Sequence, residues 1–286
     1  MVAIGAFVLS ALIIFGNSTT LLAMKRTRSL QTKANAFVAS LAGADLMIGF
    51  LLIPYGFWLI PHNHNGVFQT ISFCVLMMSS GSSAIVISIL SLLLVAIDRL
   101  VFISFPFFYQ RVVTNVVIGA SIAFPWTVGL CFGNIQWFIY APKTNPPRCM
   151  ANKILPSVYF KYASGLFFFI PCVAIFVIYI KIAMIARKQR IAIKKFNMVQ
   201  PDKTPKISPK HWKATKMMMT VFGTFSICWT PRFILHTLPD DVFDTRVPVM
   251  LYNLSLILGL LNSGLNFLVY PLHNVEFRRA FRQIFC

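Results

Sequence analysis

Seven stretches of this chain, residues 2–24, 35–60, 70–104, 113–140, 157–186, 214–238 and 247–271, are each more than twenty residues long and mainly apolar. A helix of about 20 such residues crosses the hydrocarbon core of a bilayer. The reading is therefore an all-α membrane protein, a seven-transmembrane helix bundle over residues 1–272 with its two termini on opposite faces. Composition agrees: 57% of the residues are hydrophobic, 12% are charged and the mean hydropathy is +0.74, against about 45–50% apolar and 25% charged in soluble domains.

A net charge of +19 would point to nucleic acid in a soluble domain, but its distribution carries another meaning here. Of the 26 Lys and Arg residues, 20 fall at or beyond the ends of spans 1, 3, 5 and 7. Positive loops stay cytoplasmic, which places the N-terminus outside and the C-terminus inside. The charge is thus a topology signal, with a secondary pull on anionic membrane lipid or an acidic partner, and no nucleic-acid partner is expected. No basic region or small-residue cleavage site precedes the first span, so that span is expected to act as its own signal.

Asn17-Ser18-Thr19 and Asn253-Leu254-Ser255 match the glycosylation pattern but lie inside spans, where no glycan is expected. Cys131, Cys172 and Cys228 also lie inside spans, where free cysteine behaves as a small hydrophobe. Topology puts Cys74 and Cys149 on the extracellular side, where an oxidising compartment favours a bridge between them. Cys286, after a basic amphipathic segment, is a candidate for palmitoylation, with a free thiol as the alternative.

No internal repeat of the kind that marks many transporters is evident. Residues 187–212, rich in Lys and Pro, read as a long cytoplasmic loop. Residues 273–286 form a tail in which Val275, Phe277, Phe281 and Ile284 share one side of a helix and Arg278, Arg279 and Arg282 the other, the pattern of a short amphipathic helix on the membrane surface after helix 7.

The motifs fall in a consistent order. Gly16-Asn17 is in span 1, LAGAD (41–45) in span 2, Cys74 and DRL (98–100) in span 3, and Trp126 in span 4. Pro171 and Tyr179 are in span 5, CWTP (228–231) in span 6 and NFLVY (266–270) in span 7, followed by EFRRAF. In this order and spacing the chain resembles the rhodopsin-like (class A) G-protein-coupled receptors over essentially its whole length. The resemblance implies a plasma-membrane receptor that binds an extracellular small ligand and activates a heterotrimeric G protein by an outward swing of helix 6. Arrestin and a receptor kinase are further partners it implies.

Carried onto this sequence, the resemblance implies a sodium pocket of Asp45, Ser88, Asn262, Ser263 and Asn266, with no covalent cofactor; the alternative is a protonated Asp45 bonded to neighbouring hydroxyls. It implies a coupling surface of Asp98, Arg99, Pro106, Phe107, Tyr179 and Tyr270, and an activation switch of Ile89, Pro171, Phe225, Trp229 and Pro231. Three departures stand out. Leu100 replaces the usual tyrosine after the arginine. His211, Lys213 and Lys216 stand where many members carry a restraining acid, so Arg99 is expected to be held by Asp98 alone and ligand-free signalling to be high. Phe267 replaces the proline of span 7, and Pro271 is expected to move the kink by about one helical turn.

The implied ligand cavity is lined by Gly81, Ser82, Ile85, Ala163, Arg232, Phe233, His236 and Leu256. Gly81 stands where biogenic-amine receptors carry an aspartate, which argues against an ammonium ligand, and span 7 has no lysine for a retinal Schiff base. Text in spans 2 and 3 is similar to adenosine receptors, but His236 and Leu260 stand where those receptors grip the nucleoside; a nucleoside receptor remains the alternative. Trp229, Arg232, Phe233 and His236 fall at i, i+3, i+4 and i+7 on one helix face. Two readings of Arg232 are open: it snorkels upward to water or to Asp240, Asp241 or Asp244, or it clamps an anionic ligand group.

An intramembrane protease would need a serine with a partnered histidine or two apposed aspartates, and the spans hold one deep acid, Asp45, and no HExxH. A transporter or channel would call for repeats or several intramembrane charges. A receptor, and not an enzyme, is the expectation.

Overall fold

The computed structural model describes residues 2–60, 70–140, 154–199, 209–238 and 248–285, and among them every regular element is helical. In chain order these are α1 (Val2–Arg26), a 3-10 turn (Arg28–Leu30), α2 (Lys33–Trp58), α3 (Ile71–Ser104), α4 (Pro106–Val112), α5 (Asn115–Ile139) and α6 (Ser157–Ser164). A π-helical turn (Gly165–Phe169) joins α6 to α7 (Ile170–Val199), followed by α8 (Pro209–Thr237), α9 (Val249–His273) and α10 (Val275–Phe285).

Local chemistry starts several of these helices. Thr32, Thr70 and Thr114 precede α2, α3 and α5, and each hydroxyl accepts from a backbone N–H three residues on, at 3.2–3.3 Å. Such caps satisfy donors that the first turn leaves open. Pro106 opens α4, where its missing N–H costs nothing.

Helices lie over the expected spans, and one expectation is corrected. Within the loop read over 187–212, residues 187–199 and 209–212 are helical, because α7 runs on through Val199 and α8 begins at Pro209. Ala, Arg, Lys and Gln there are good helix formers that continue a helix once a span has nucleated it. Six described helices are long and apolar enough to cross a membrane. A seventh helix, α8, lies over the span read at 214–238; Pro231, Arg232 and threonines 220, 224 and 230 make it less apolar than the six.

The core runs along the bundle axis, with Ile89, Phe168, Ile175, Val221, Phe225 and Tyr270 fully buried. Large apolar side chains such as Phe50, Phe124, Phe138 and Phe176 point outward, the arrangement of helices whose solvent is lipid. Polar pins cross the bundle: Trp126 Nε1 donates to Ser40 Oγ at 3.0 Å, and Asn17 Nδ2 donates to the Ser263 carbonyl at 3.0 Å. Gly133 lets α5 lie on α3, since a Cβ there would run into Ser79 and Ser83. Small residues at such contacts allow the close backbone approach on which membrane helix packing depends.

Candidate functional site

The upper half of α8 presents its expected face inward. Trp229 and Arg232 are buried, and Phe233 stacks on Phe168 with ring centroids 4.0 Å apart. His236 completes the face, 6.0 Å from Phe233 and 6.2 Å from Tyr252 between ring centroids. On α3, Gly81 has nothing within 4 Å of where a Cβ would stand. Ser82 Oγ accepts from Gln136 Nε2 at 2.8 Å, and Gln136 also donates to the Tyr159 hydroxyl at 3.1 Å. Ile85, Ala163 and Leu256 are half-buried on α3, α6 and α9.

Arg232 does not rise to water. It is 8% exposed, its Nη1 donates to the Tyr252 carbonyl at 3.1 Å, and its Cζ lies 3.5 Å from the Tyr252 ring centroid. The tyrosine face and carbonyl on α9 hold the guanidinium inside the bundle, which corrects only the expected rise to water. Asp240, Asp241 and Asp244 lie outside the described residues.

Below this level an aromatic column descends from Phe233 to Trp229 to Phe225, with centroids 6.1 and 6.4 Å apart. Phe168 flanks it 6.2 Å from Phe225. Ile89 and Pro171 are buried at the same depth, Ile89 within the same apolar cluster. Sequence reasoning missed Phe168. It follows Gly165 in the π turn, whose extra residue re-aims the helix face, and the only sequence signal is the run GLFFFIP. Gly259 was missed too: the Trp229 indole would lie 2.7 Å from a Cβ at that position, so only glycine lets the ring seat on α9.

Deeper still, Asp45 Oδ2 accepts from Asn266 Nδ2 at 2.8 Å, and Ser263 lies beside this carboxyl. Its Oδ1, Ser88 Oγ, Asn262 Oδ1 and Asn266 Oδ1 are buried without a protein partner. Buried acceptor oxygens without a partner, one of them on the Asp45 carboxylate itself, fit a small hard cation, which takes oxygen ligands. The described residues hold no group of three His, Cys, Asp or Glu, and a single acid balances a monovalent ion better than a divalent one.

Near the C-terminal end of α3 Arg99 pairs with Asp98 through both Nε and Nη2, and this is the single ion pair among the described residues. Tyr109 on α4, unread in the sequence, donates its hydroxyl to Asp98 Oδ1 at 2.7 Å. Burial and the hydrogen bond to Asp98 push its phenol well above the ordinary tyrosine range. Arg99 lies 5.3 Å from the Phe102 ring centroid. Phe107 is 87% exposed beside Phe105 and Phe108, while Pro106 starts their helix. The structure does not stack the two tyrosines of the coupling surface on each other: Tyr179 packs on Phe222 at 6.0 Å, and Tyr270 stacks on Phe277 of α10 at 5.3 Å.

Phe267, in the place of the span 7 proline, lies against α1 where a Cβ on Gly16 would otherwise be. Pro231 and Pro271 both lie inside their helices. Cys74 is disulfide-bonded; its expected partner Cys149 and the palmitoylation candidate Cys286 lie outside the described residues.

The helical bundle thus holds a buried acid, Asp45, within its core and a buried arginine, Arg99, near the C-terminal end of α3. Residues 16–270 match the family of the 7 transmembrane receptor (rhodopsin family), and the chain belongs to it. It is 28% identical over 284 residues to the histamine H2 receptor of Rattus norvegicus, covering 95% of this chain and 75% of that protein. It is 29% identical over 306 residues to adenosine receptor A2b of Rattus norvegicus, at 97% and 87% coverage. Trace amine-associated receptor 4 of Mus musculus is 27% identical over 296 residues, at 99% and 84%. The chain is therefore a G-protein-coupled, multi-pass membrane receptor and not an enzyme.

Proposed function

We propose that the chain is a plasma-membrane receptor, N-terminus outside, whose ligand enters beside Arg232 and Phe233 and whose α8 swings outward about Pro231 to admit a G protein beside Arg99. The observation that carries this reading is the continuous aromatic column Phe233, Trp229 and Phe225, flanked by Phe168, which links the upper cavity to the level of Ile89. A ligand that prefers one packing of this column over another shifts the receptor between states, by no more than its difference in affinity for the two.

Ligand-free activity is high, because Arg99 is closed only by its own neighbour Asp98 and no acid stands at the described start of α8. A sodium ion held by Asp45, Ser88, Asn262, Ser263 and Asn266 supplies positive charge that favours the inactive packing. Phe107, exposed on α4, enters an apolar slot of the G protein, and arrestin and a receptor kinase use the same cytoplasmic face. The α10 helix lies on the membrane surface with Phe277 and Ala280 inward. Membrane lipid fills an apolar cleft of about 720 Å³ on the outer side of α1 and α2, lined by residues such as Phe7, Phe15, Ile53 and Phe57.

The relatives named for histamine and trace amines favour an amine ligand, but open space at Gly81 in place of an acid speaks against it. The adenosine receptor relative supports a nucleoside as the second reading, with His236 and Leu260 as its weak points. Ligand-free G-protein activation, measured across the G-protein classes in cells expressing the chain, tests the proposal. Activation well above mock-transfected cells is expected, and substrate flux or current without G-protein activation would replace the receptor mechanism by transport.

A further inference from the structure

Arg232 presents a charge that no described carboxylate answers. The described residues place one carbonyl and one aromatic ring against it, both from Tyr252, and Tyr55 of α2 lies within its electrostatic reach. No described carboxylate approaches it, since Asp98–Arg99 is the single ion pair among the described residues. A guanidinium has five N–H donors in a planar fork, and one hydrogen bond, from Nη1 to the Tyr252 carbonyl, engages them here. None of the guanidinium nitrogens is both sealed from solvent and unpartnered. The 8% of Arg232 that stays exposed is therefore where its free donors open onto accessible space.

Removing a cation from water is costly unless a partner of opposite charge answers it. The tyrosine ring returns part of that cost through its π face and fixes the plane of the fork. A held, planar, half-used guanidinium is preorganised for two parallel hydrogen bonds to one group. The side chains of this region are aromatic: Phe233 stacked on Phe168, His236 beside Tyr252, and Tyr55 stacked on Trp58 at 5.6 Å.

We infer that Arg232, Tyr252 and Phe233 form the binding site for a small aromatic or apolar carboxylate, its anion on the Arg232 fork and its body on the aromatic wall. One cation matches one negative charge, which selects a carboxylate over a doubly charged phosphate ester. The inference rests on the receptor reading above and names the class of its ligand.

The test uses the full chain in detergent, with thermal unfolding as the readout and 3-phenylpropionate and indole-3-acetate as probes. Each is compared with its neutral amide and with phenethylamine, pairs that share the aromatic body and differ in charge. A ligand that binds only the folded state raises the unfolding midpoint in proportion to its occupancy. Millimolar carboxylate is expected to raise the midpoint, and amide and amine are not. Arg232→Lys, which keeps the charge but loses the fork, is expected to weaken the apparent affinity about tenfold, and Arg232→Gln to abolish the shift.

No shift with either carboxylate, equal shifts with acid and amide, or a shift that survives Arg232→Gln in a cooperatively unfolding protein would each overturn the inference. So would carboxylate binding that appears only after Asp240→Asn, Asp241→Asn and Asp244→Asn, since the arginine's partner would then be internal. Nucleotide exchange on purified G protein is measured separately. A carboxylate shift without any exchange would sink the receptor mechanism and leave the binding site standing, and exchange without a shift would do the reverse.

Discussion

Thr220 Oγ1 on α8 lies 2.9 Å from His273 Nε2 on α9, and the same hydroxyl donates to the Lys216 carbonyl at 3.1 Å. With its one proton spent on Lys216, the hydroxyl accepts from Nε2–H, so the contact selects the His273 tautomer that carries its proton there. This hydrogen bond ties α8 to the C-terminal end of α9, two helices that the proposed activation separates, and α8 offers no acid to Arg99.

Removing this tether is expected to raise ligand-free nucleotide exchange. A hydrogen bond between neutral groups contributes about 0.5–1.5 kcal/mol net, so Thr220→Val and His273→Phe should each raise basal exchange by roughly two- to tenfold. Basal exchange unchanged in both, at equal surface expression, would show that the contact does not restrain α8.

Asp45 and its unpaired oxygen neighbours predict a sodium effect. Replacing sodium by N-methylglucamine is expected to raise basal exchange in the parent receptor, and Asp45→Asn to abolish the difference. Asn262→Ala should weaken the sodium response, because its Oδ1 is one of the buried oxygens without a protein partner. The measurement is exchange as a function of sodium concentration at constant ionic strength, and a Asp45→Asn receptor with the parent sodium response would contradict the assignment.

Gly16 and Phe267 are fitted to each other. Gly16→Ala places a methyl in the Phe267 ring and is expected to destabilise by about 1–3 kcal/mol, the usual cost of overpacking. Phe267→Leu makes room and should recover most of that loss in the double variant, a non-additive pair. Unfolding midpoints of the four proteins in one detergent check it, with simple additivity as the failing result.

Tyr109 predicts a pH profile. Its phenol titrates above the ordinary tyrosine value because of burial and the Asp98 hydrogen bond, so the folded state retains a proton that the unfolded state loses at high pH. By linkage its contribution is fully present below about pH 10, the unfolded tyrosine value, and is lost as pH rises beyond it. Basal exchange of the parent should show no Tyr109-dependent change between pH 6 and 9. Tyr109→Phe should raise basal exchange across that whole range by freeing Asp98, and a pH-dependent difference between the two proteins there would refute the assignment.

Much of the fold was legible in the sequence because a bilayer imposes length and polarity on each span, and chain order supplies the rest. The apolar runs set α1 to α3, α5 and α9 closely. They misjudged 187–212, where helix continuation depends on a neighbouring span rather than on local hydropathy. Site residues that carry unusual chemistry, Asp45, Arg99 and Arg232, stood out by charge alone. Phe168, Gly259, Tyr109 and the Thr220–His273 pair did not, since each matters through a contact across helices that no local pattern encodes.

The π turn at Gly165–Phe169 has a bearing on how this receptor is aligned and engineered. It behaves as one inserted residue in an α-helical frame, about 100° of rotation at 3.6 residues per turn. Tyr159 and Ala163 above it are therefore out of phase with Pro171 and Tyr179 below it. Gap-free numbering through this segment misassigns one half or the other. Deleting a single residue such as Leu166 should restore an unbroken α-helix, turn the upper wall of the cavity away from Gln136, and leave the cytoplasmic half in register.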